Sequence, residues 1–261
     1  MKINEYYRDT ANMNLNGSIV ALVPTTMIII GNLYIIKQKD MMLFTIPFLI
    51  YSIISFQIYL FRLRQTITIR RNLKASKDVS NSIFKARHLL LLYRNSQSSS
   101  LFLYFPNGNL AGQIGKFRGK GLERLKPSRN YALYNVDGRI LGFFKIKGKK
   151  VVRIDVYNCN KEFLGSFEKR NIGYRKSKKE LFDHSGRYIG GVEGAALFMD
   201  EHVFDHSHQE VGRLRRGWMP IEWGPIFPEP NTPVLTLNEG LSEEGKLLRM
   251  SFLINEYFIE R

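Results

Sequence analysis

One short pattern recurs five times along the chain and limits what it can fold into. It reads LYFPNGNLAGQI from Leu103, LYNVDGRILGFF from Leu133, VYNCNKEFLGSF from Val156, LFDHSGRYIGGV from Leu181 and VFDHSHQEVGRL from Val203. Each copy opens on an apolar residue and a Tyr or Phe, passes through a polar cluster, and returns to apolar residues. That is the signature of strand, turn, strand. Starts only 22 to 30 residues apart mark a single supersecondary unit used repeatedly.

The tenth place of every copy is glycine: Gly112, Gly142, Gly165, Gly190 and Gly212. Glycine weakens a strand interior unless a bulge, a bend or the close approach of another segment requires it. Repeated bends at one place predict a sheet that curls into closure. Five hairpins supply ten strands, and ARHLLLLYR from Ala86 and TPVLTLN from Thr232 supply two more. A closed sheet of about 12 strands leaves a lumen too wide for wall side chains alone to fill. The segment GKLLRMSFLINEYFIER from Gly245 is the filler: Leu247, Leu248, Met250, Phe252, Leu253, Ile254, Tyr257, Phe258 and Ile259 fall on every side of a helical wheel. A helix apolar all round must be buried. The expected class is mainly β, a closed antiparallel barrel of hairpin repeats around a C-terminal hydrophobic helix.

Ahead of the repeats, two uncharged apolar runs cover residues 18–36 and 41–61, separated by KQKD. Each approaches the roughly 20 residues that a helix needs to cross a bilayer. The expected organisation is therefore an N-terminal segment 1–17, a two-helix transmembrane hairpin 18–61, a basic juxtamembrane linker 62–85 and a barrel domain 86–261. Arg62, Arg64, Arg70, Arg71, Lys74 and Lys77 follow the second run, against Lys37 and Lys39 in the short loop. Excess Lys and Arg mark cytoplasmic flanks, so both termini are expected in the cytoplasm of a multi-pass cell-membrane protein. The lone Cys159 fits a reducing compartment and excludes an intramolecular disulfide.

The hairpin repeats of aromatic, Asp or Asn turn, apolar residue and Gly, followed by NTPVLTLNEG and a terminal hydrophobic helix, resemble the tubby C-terminal-like superfamily. That superfamily includes the tubby, plant LURP-one and phospholipid scramblase proteins. The resemblance spans residues 86–261 and rests on architecture, without a sharp signature. It implies a twelve-stranded barrel around a central helix and, from tubby itself, binding of phosphoinositide headgroups. No lipid-binding residue of that family maps onto a position here.

Charge is the clearest functional signal. From Arg62 to Glu180 there are 28 Lys and Arg against 7 Asp and Glu; from Leu181 to Arg261 there are 7 against 13. Basic clusters stand at GKFRGKGLERLK from Gly115, KIKGKK from Lys145 and EKRNIGYRKSKK from Glu168. Juxtamembrane topology accounts for Arg62 to Lys77 but not for clusters so much later in the chain. Anionic inner-leaflet lipid attracts such residues, and Lys116, Arg118, Lys120, Lys145, Lys147, Lys149 and Lys150 are the expected contacts. Nucleic acid, the other polyanion, is not expected, because no recognisable binding module is present.

His202, His206 and His208 with Asp205 have the composition of a metal site. The repeat frame assigns His206 and Asp205 to the turn, where Asp is a common turn former. No metal, cofactor or catalytic set is expected, and the chain does not read as an enzyme. Trp218, Trp223 and Phe227, in the Pro-rich stretch after the last copy, fit barrel-end packing or a membrane interface. The expected function is a membrane-anchored module that binds anionic phospholipid headgroups. Two rivals remain. One is an immunity or regulatory factor whose Gly31, Asn32, Ser52, Ser55 and Gln57 meet a membrane-protein partner; the other is scramblase-like lipid transport.

Overall fold

In four of the five copies the polar cluster turns the chain because a side chain at the third place caps the turn. Asn135 Oδ1 accepts the backbone N–H of Arg139 at 2.8 Å. Asp183 Oδ1 accepts those of Ser185 and Arg187, and Asp205 Oδ1 those of Ser207 and Gln209. Asn158 does the same for Asn160 and Glu162. In the first copy the third place is Phe105, and Asn107 Oδ1 takes the N–H of Asn109 instead. The sixth place has positive φ throughout, at Lys161 (66°) and His208 (57°) as well as at the three glycines.

The structure, a computed structural model, describes residues 1–73, 82–95, 99–117, 129–148, 151–173, 176–195 and 200–260. The chain divides into two units, Met1–Lys77 and Asp78–Arg261. In the second, the strands are β1 (His88–Arg94), β2 (Ser100–Tyr104), β3 (Leu110–Lys116), β4 (Asn130–Tyr134), β5 (Ile140–Lys147) and β6 (Val152–Asn158). They continue as β7 (Phe163–Gly173), β8 (Lys176–Asp183), β9 (Tyr188–Ala195), β10 (Asp200–Asp205), β11 (Glu210–Arg215) and β12 (Val234–Leu237). Each pairs antiparallel with its sequence neighbours, and β12 closes on β1 to complete a twelve-stranded barrel. The two strands read outside the repeats are β1 and β12.

The tenth-place glycine has a definite role. All five repeat hairpins carry a β-bulge opposite it, between the first and second places of the copy: Leu103/Tyr104, Leu133/Tyr134, Val156/Tyr157, Leu181/Phe182 and Val203/Phe204. A bulge bends the strand and increases its twist. The glycines face the lumen. A Cβ at Gly142 would lie 2.4 Å from Leu247 Cδ2, and one at Gly190 only 2.0 Å from the carbonyl oxygen of Phe204. Gly190 also holds a φ of 150°, which an L side chain rarely adopts.

The C-terminal segment forms α3 (Glu243–Arg249) and α4 (Phe252–Ile254), prolonged by a wider helical turn over Asn255–Ile259. Ser242 Oγ caps α3 by accepting the N–H of Gly245 at 3.0 Å. Leu247, Leu248, Phe252, Leu253 and Ile254 join Phe144, Ile154, Val156, Phe167 and Leu181 of the wall in one buried core. Burying each such side chain stabilises by about 1.5–3 kcal/mol. The helix is less uniformly apolar than its large side chains imply, since Lys246, Arg249, Ser251, Asn255 and Glu256 are buried too. Lys246 Nζ donates to the carbonyl of Phe84 at 2.5 Å, tying α3 to the 3-10 turn Ile83–Lys85 that precedes β1. That turn contributes Ile83 and Phe84 to the core, so the barrel unit begins ahead of Ala86.

Antiparallel alternation gives the barrel two distinct rims. The hairpin rim carries the five tight turns, the turn Ile83–Lys85 and the start of α3. The distal rim carries the connections between copies, and the C-terminal helical segment ends there.

The first unit is a pair of helices, α1 (Ile3–Gly31) and α2 (Ile46–Leu73), joined through a reversal at Lys37 and a 3-10 stretch, Lys39–Thr45. Both helices outrun the apolar stretches, α1 by starting at Ile3 and α2 by continuing into the basic segment read as linker. Each is long and apolar enough to cross a membrane. Ser18 and Ser52 bridge the helices with hydroxyls 3.0 Å apart, and Ser52 Oγ also donates to the Ser18 carbonyl. Ile19, Val20, Met27, Ile53 and Phe61 point outward and are more than half exposed.

Gly190→Ala should destabilise the barrel by at least about 1–3 kcal/mol, through overpacking against backbone and a disfavoured φ. Gly173→Ala, where a Cβ meets no atom of the described residues within 4 Å, should leave the melting temperature unchanged. Equal thermal melts for the two variants would contradict a tenth-place glycine required by packing.

Candidate functional site

The distal rim gathers the basic residues. Lys116 ends β3, Lys145 and Lys147 end β5, Arg153 begins β6, Arg170 lies near the end of β7 and Lys178 near the start of β8. The hairpin rim is close to balanced by contrast: Arg139, Lys161 and Arg187 in its turns face Asp137, Glu162, Asp183 and Asp205. The charge asymmetry read along the sequence is thus also an asymmetry between the two rims, strongest across β3 to β8.

Side-chain direction divides the expected contacts. Gly142, Phe144 and Ile146 of β5 face the core, which turns Lys145 and Lys147 outward. Lys147 Nζ lies 2.5 Å from Asp155 Oδ2, and Arg153 Nε donates to Asp155 Oδ1 at 2.8 Å. Burial works against the Asp155 carboxylate, but the hydrogen bonds from Lys147 and Arg153 prevail and hold its pKa below the ordinary range. The hydrogen bond to Asp155 correspondingly raises the pKa of Lys147. Arg153 also reaches Glu168 at 3.3 Å, and Arg170 reaches the same carboxylate at 2.7 Å. Lys116 and Lys145 are exposed and have no ion-pair partner among the described residues. Arg118, Lys120, Lys149 and Lys150 lie outside the described residues; by sequence they belong to the β3–β4 and β5–β6 connections, which join strand ends of this rim.

The mouth of the barrel at this rim is closed by the end of the C-terminal segment. On one side Tyr131 packs on Phe258 with ring centroids 4.5 Å apart, and Tyr93 meets Tyr257 and Phe258 at 6.0 and 5.7 Å. On the other, Lys179 of β8 points inward and binds Glu201 Oε1 at 2.8 Å and Glu256 Oε1 at 2.9 Å. Asn255 Nδ2 donates to Glu256, and Lys169 of β7 pairs with Glu260. Burial alone would lower the pKa of Lys179, but Glu256 and Glu201 overcome it and the ammonium is held charged. Burial raises the pKa of Glu201, which is fully enclosed, and Lys179 offsets this only in part.

This ionic cluster escaped the sequence reading, although the repeat frame contains its signal. The place two residues before each copy faces the lumen, and it is Leu101, Tyr131 and Ile154 in the first three copies but Lys179 and Glu201 in the last two. Opposite charges at equivalent inward places are the pattern of a buried pair.

The histidines do not converge. His202 Nδ1 lies 2.7 Å from Glu210 on the outer wall, and Asp205 serves its turn. No group of three potential ligands exists among the described residues. Phe227 is buried against Tyr104, Trp223 lies 5.7 Å from His88, and Trp218 sits exposed over the guanidinium of Arg215 at 4.4 Å.

No family model and no curated protein matches the sequence. Among solved structures, an Arabidopsis thaliana protein determined by X-ray crystallography is similar at 14% identity. The match covers 71% of this chain and 100% of that one, with a TM-score of 0.45. The barrel is defined by its own strand order, in which β12 pairs with β1.

Lys179→Met should cost about 3–5 kcal/mol, because it leaves two buried carboxylates without their counter-charge. Adding Glu201→Met should recover part of that loss. Denaturant unfolding of both variants checks the pair, and an additive further loss in the double variant would contradict the coupling.

Proposed function

We propose that this chain is a membrane-anchored, non-enzymatic binding module whose barrel contacts anionic phospholipid headgroups through its distal rim. The observation that carries the reading is the gathering of Lys116, Lys145, Lys147, Arg153, Arg170 and Lys178 at one end of the barrel, in excess of their partners Asp155, Glu168 and Glu180, while the opposite turns are nearly balanced. Each basic residue held near an anionic leaflet contributes about 1 kcal/mol. Two helices with apolar outer faces support anchoring by both spans, and tethering raises the local concentration of the barrel at the membrane. The basic end of α2, with Arg62, Arg64, Arg70 and Arg71, supports a cytoplasmic barrel and cytoplasmic termini. Membership of the tubby C-terminal-like superfamily is part of the same proposal, supported by a closed twelve-stranded sheet of hairpins around a C-terminal helical segment.

The partner-protein alternative draws less support. Ser52 and Ser55 are buried, Ser52 against Ser18 of the other helix, and Asn32 Oδ1 accepts the N–H of Gln38 at 2.9 Å. Three of the side chains read as partner-facing are thereby used within the hairpin itself. Lipid transport would need a polar path across the bilayer, and the outward faces of both helices are apolar.

The fragment Asp78–Arg261 should bind vesicles containing phosphatidylserine and release them as salt shortens the Debye length from about 10 Å at 0.1 M to about 3 Å at 1 M. Lys116→Gln with Lys145→Gln should weaken binding by up to about 2 kcal/mol and leave the fold intact, as exposed charges contribute little to stability. Equal binding to neutral vesicles, or none by a folded fragment, would defeat the lipid reading. A reporter fused after Arg261 should be active only in the cytoplasm; a C-terminus accessible from outside intact cells would reverse the topology.

A further inference from the structure

The β7–β8 hairpin continues past its pairing with β6 and with β9. The last pairing of β7 with β6 is Lys169 with Val152, and the pairing of β8 with β9 ends at Lys179 with Val192. Among the described residues, 170–173 and 176–178 therefore pair with each other and with no further strand, through Arg170 with Lys178, Asn171 with Ser177 and Gly173 with Lys176. They form a two-stranded ribbon at the distal rim that has parted from β6 and from β9, which itself continues to Ala195 beside β10. Arg170, Asn171, Ile172, Gly173, Ser177 and Lys178 are all exposed.

Ile172 is the residue that this arrangement leaves unexplained. It sits at a register shift between Asn171 and Gly173, where a bulge re-aims the side chain, and it is 67% exposed. Charge along an unpaired ribbon guards against strand addition, which accounts for Arg170 and Lys178. It gives no reason for a large β-branched apolar side chain near the tip. Arg170 and Lys178 pair with the largely covered carboxylates of Glu168 and Glu180 at 2.7 and 2.8 Å, yet their own side chains are 54% and 62% exposed, so their remaining N–H groups stay open to phosphate. An apolar side chain flanked by cations matches the boundary between phosphate headgroups and acyl chains.

We infer that this ribbon is a membrane-docking finger: Ile172 enters the headgroup–acyl boundary of an anionic bilayer while Arg170 and Lys178 engage lipid phosphates. The inference rests on the lipid reading above and adds to it the place and depth of contact.

The test uses the full chain with Cys159→Ser, reconstituted in vesicles of phosphatidylcholine with or without phosphatidylserine. An environment-sensitive fluorophore is attached at Ile172→Cys or, as a control on the hairpin rim, at Val136→Cys. The fluorophore at position 172 should shift to the blue and be quenched by lipids spin-labelled near the headgroup, in acidic vesicles only, with reversal in high salt. The one at position 136 should do neither. Arg170→Gln with Lys178→Gln should reduce the docking equilibrium by up to about thirtyfold. Protection of barrel lysines from an acylating reagent, measured in parallel, separates the two claims. Lysine protection in acidic vesicles with a water-exposed fluorophore at position 172 would overturn the finger and leave the lipid reading standing. Neither signal would overturn both, and equal quenching in neutral vesicles would overturn the paired role of charge and Ile172.

Discussion

The interior of a twelve-stranded sheet is wider than its own side chains can fill, and the rest of the barrel follows from how that space is occupied. The C-terminal helical segment lies in the lumen, and Leu247 and Leu248 approach the wall where Gly142 and Gly165 leave room. The bulges opposite the tenth-place glycines bend each hairpin at one level, so local bends accumulate into closure. One repeated residue thus links the turn chemistry of a twelve-residue unit, the curvature of the sheet and the seating of the helix.

Closure also sorts charge. A tight hairpin turn requires an Asn or Asp that accepts backbone N–H groups and a residue tolerant of positive φ, which leaves few places for lysine. Connections between copies carry no such demand, and the basic clusters occur there. Antiparallel alternation sends every turn of the first kind to one rim and every connection of the second kind to the other. Lys169 and Lys179 depart from this surface pattern: they turn inward and hold Glu260, Glu256 and Glu201 at the mouth.

The helical hairpin follows a different rule. In an apolar environment, hydroxyl contacts between helices substitute for the hydrophobic drive that lipid removes. Ser18 and Ser52 make such a contact, leaving aliphatic and aromatic side chains on the outside. In the sequence Ser52 suggests a surface for another protein, and only the pairing of α1 with α2 reveals that it is used within the chain.

The sequence by itself determined the class of fold. The five copies, their glycines, the two extra strands and the apolar terminal helix are local patterns, and the period of a strand or helix is visible in one dimension. It also marked the two long apolar helices and the basic clusters. The buried ion pairs were not legible, because Lys179, Glu201 and Glu256 come from separate segments and meet only when β8, β10 and the C-terminal helical segment converge. Nor could composition tell that Lys147 is engaged by Asp155 whereas Lys145, two residues earlier, has no ion-pair partner among the described residues; that depends on diagonal neighbours across β5 and β6. The exposure of Ile172 was decided by tertiary structure alone, since it follows from where β7 parts from β6 and β8 from β9, and the extent of pairing between strands is a property of the assembled sheet.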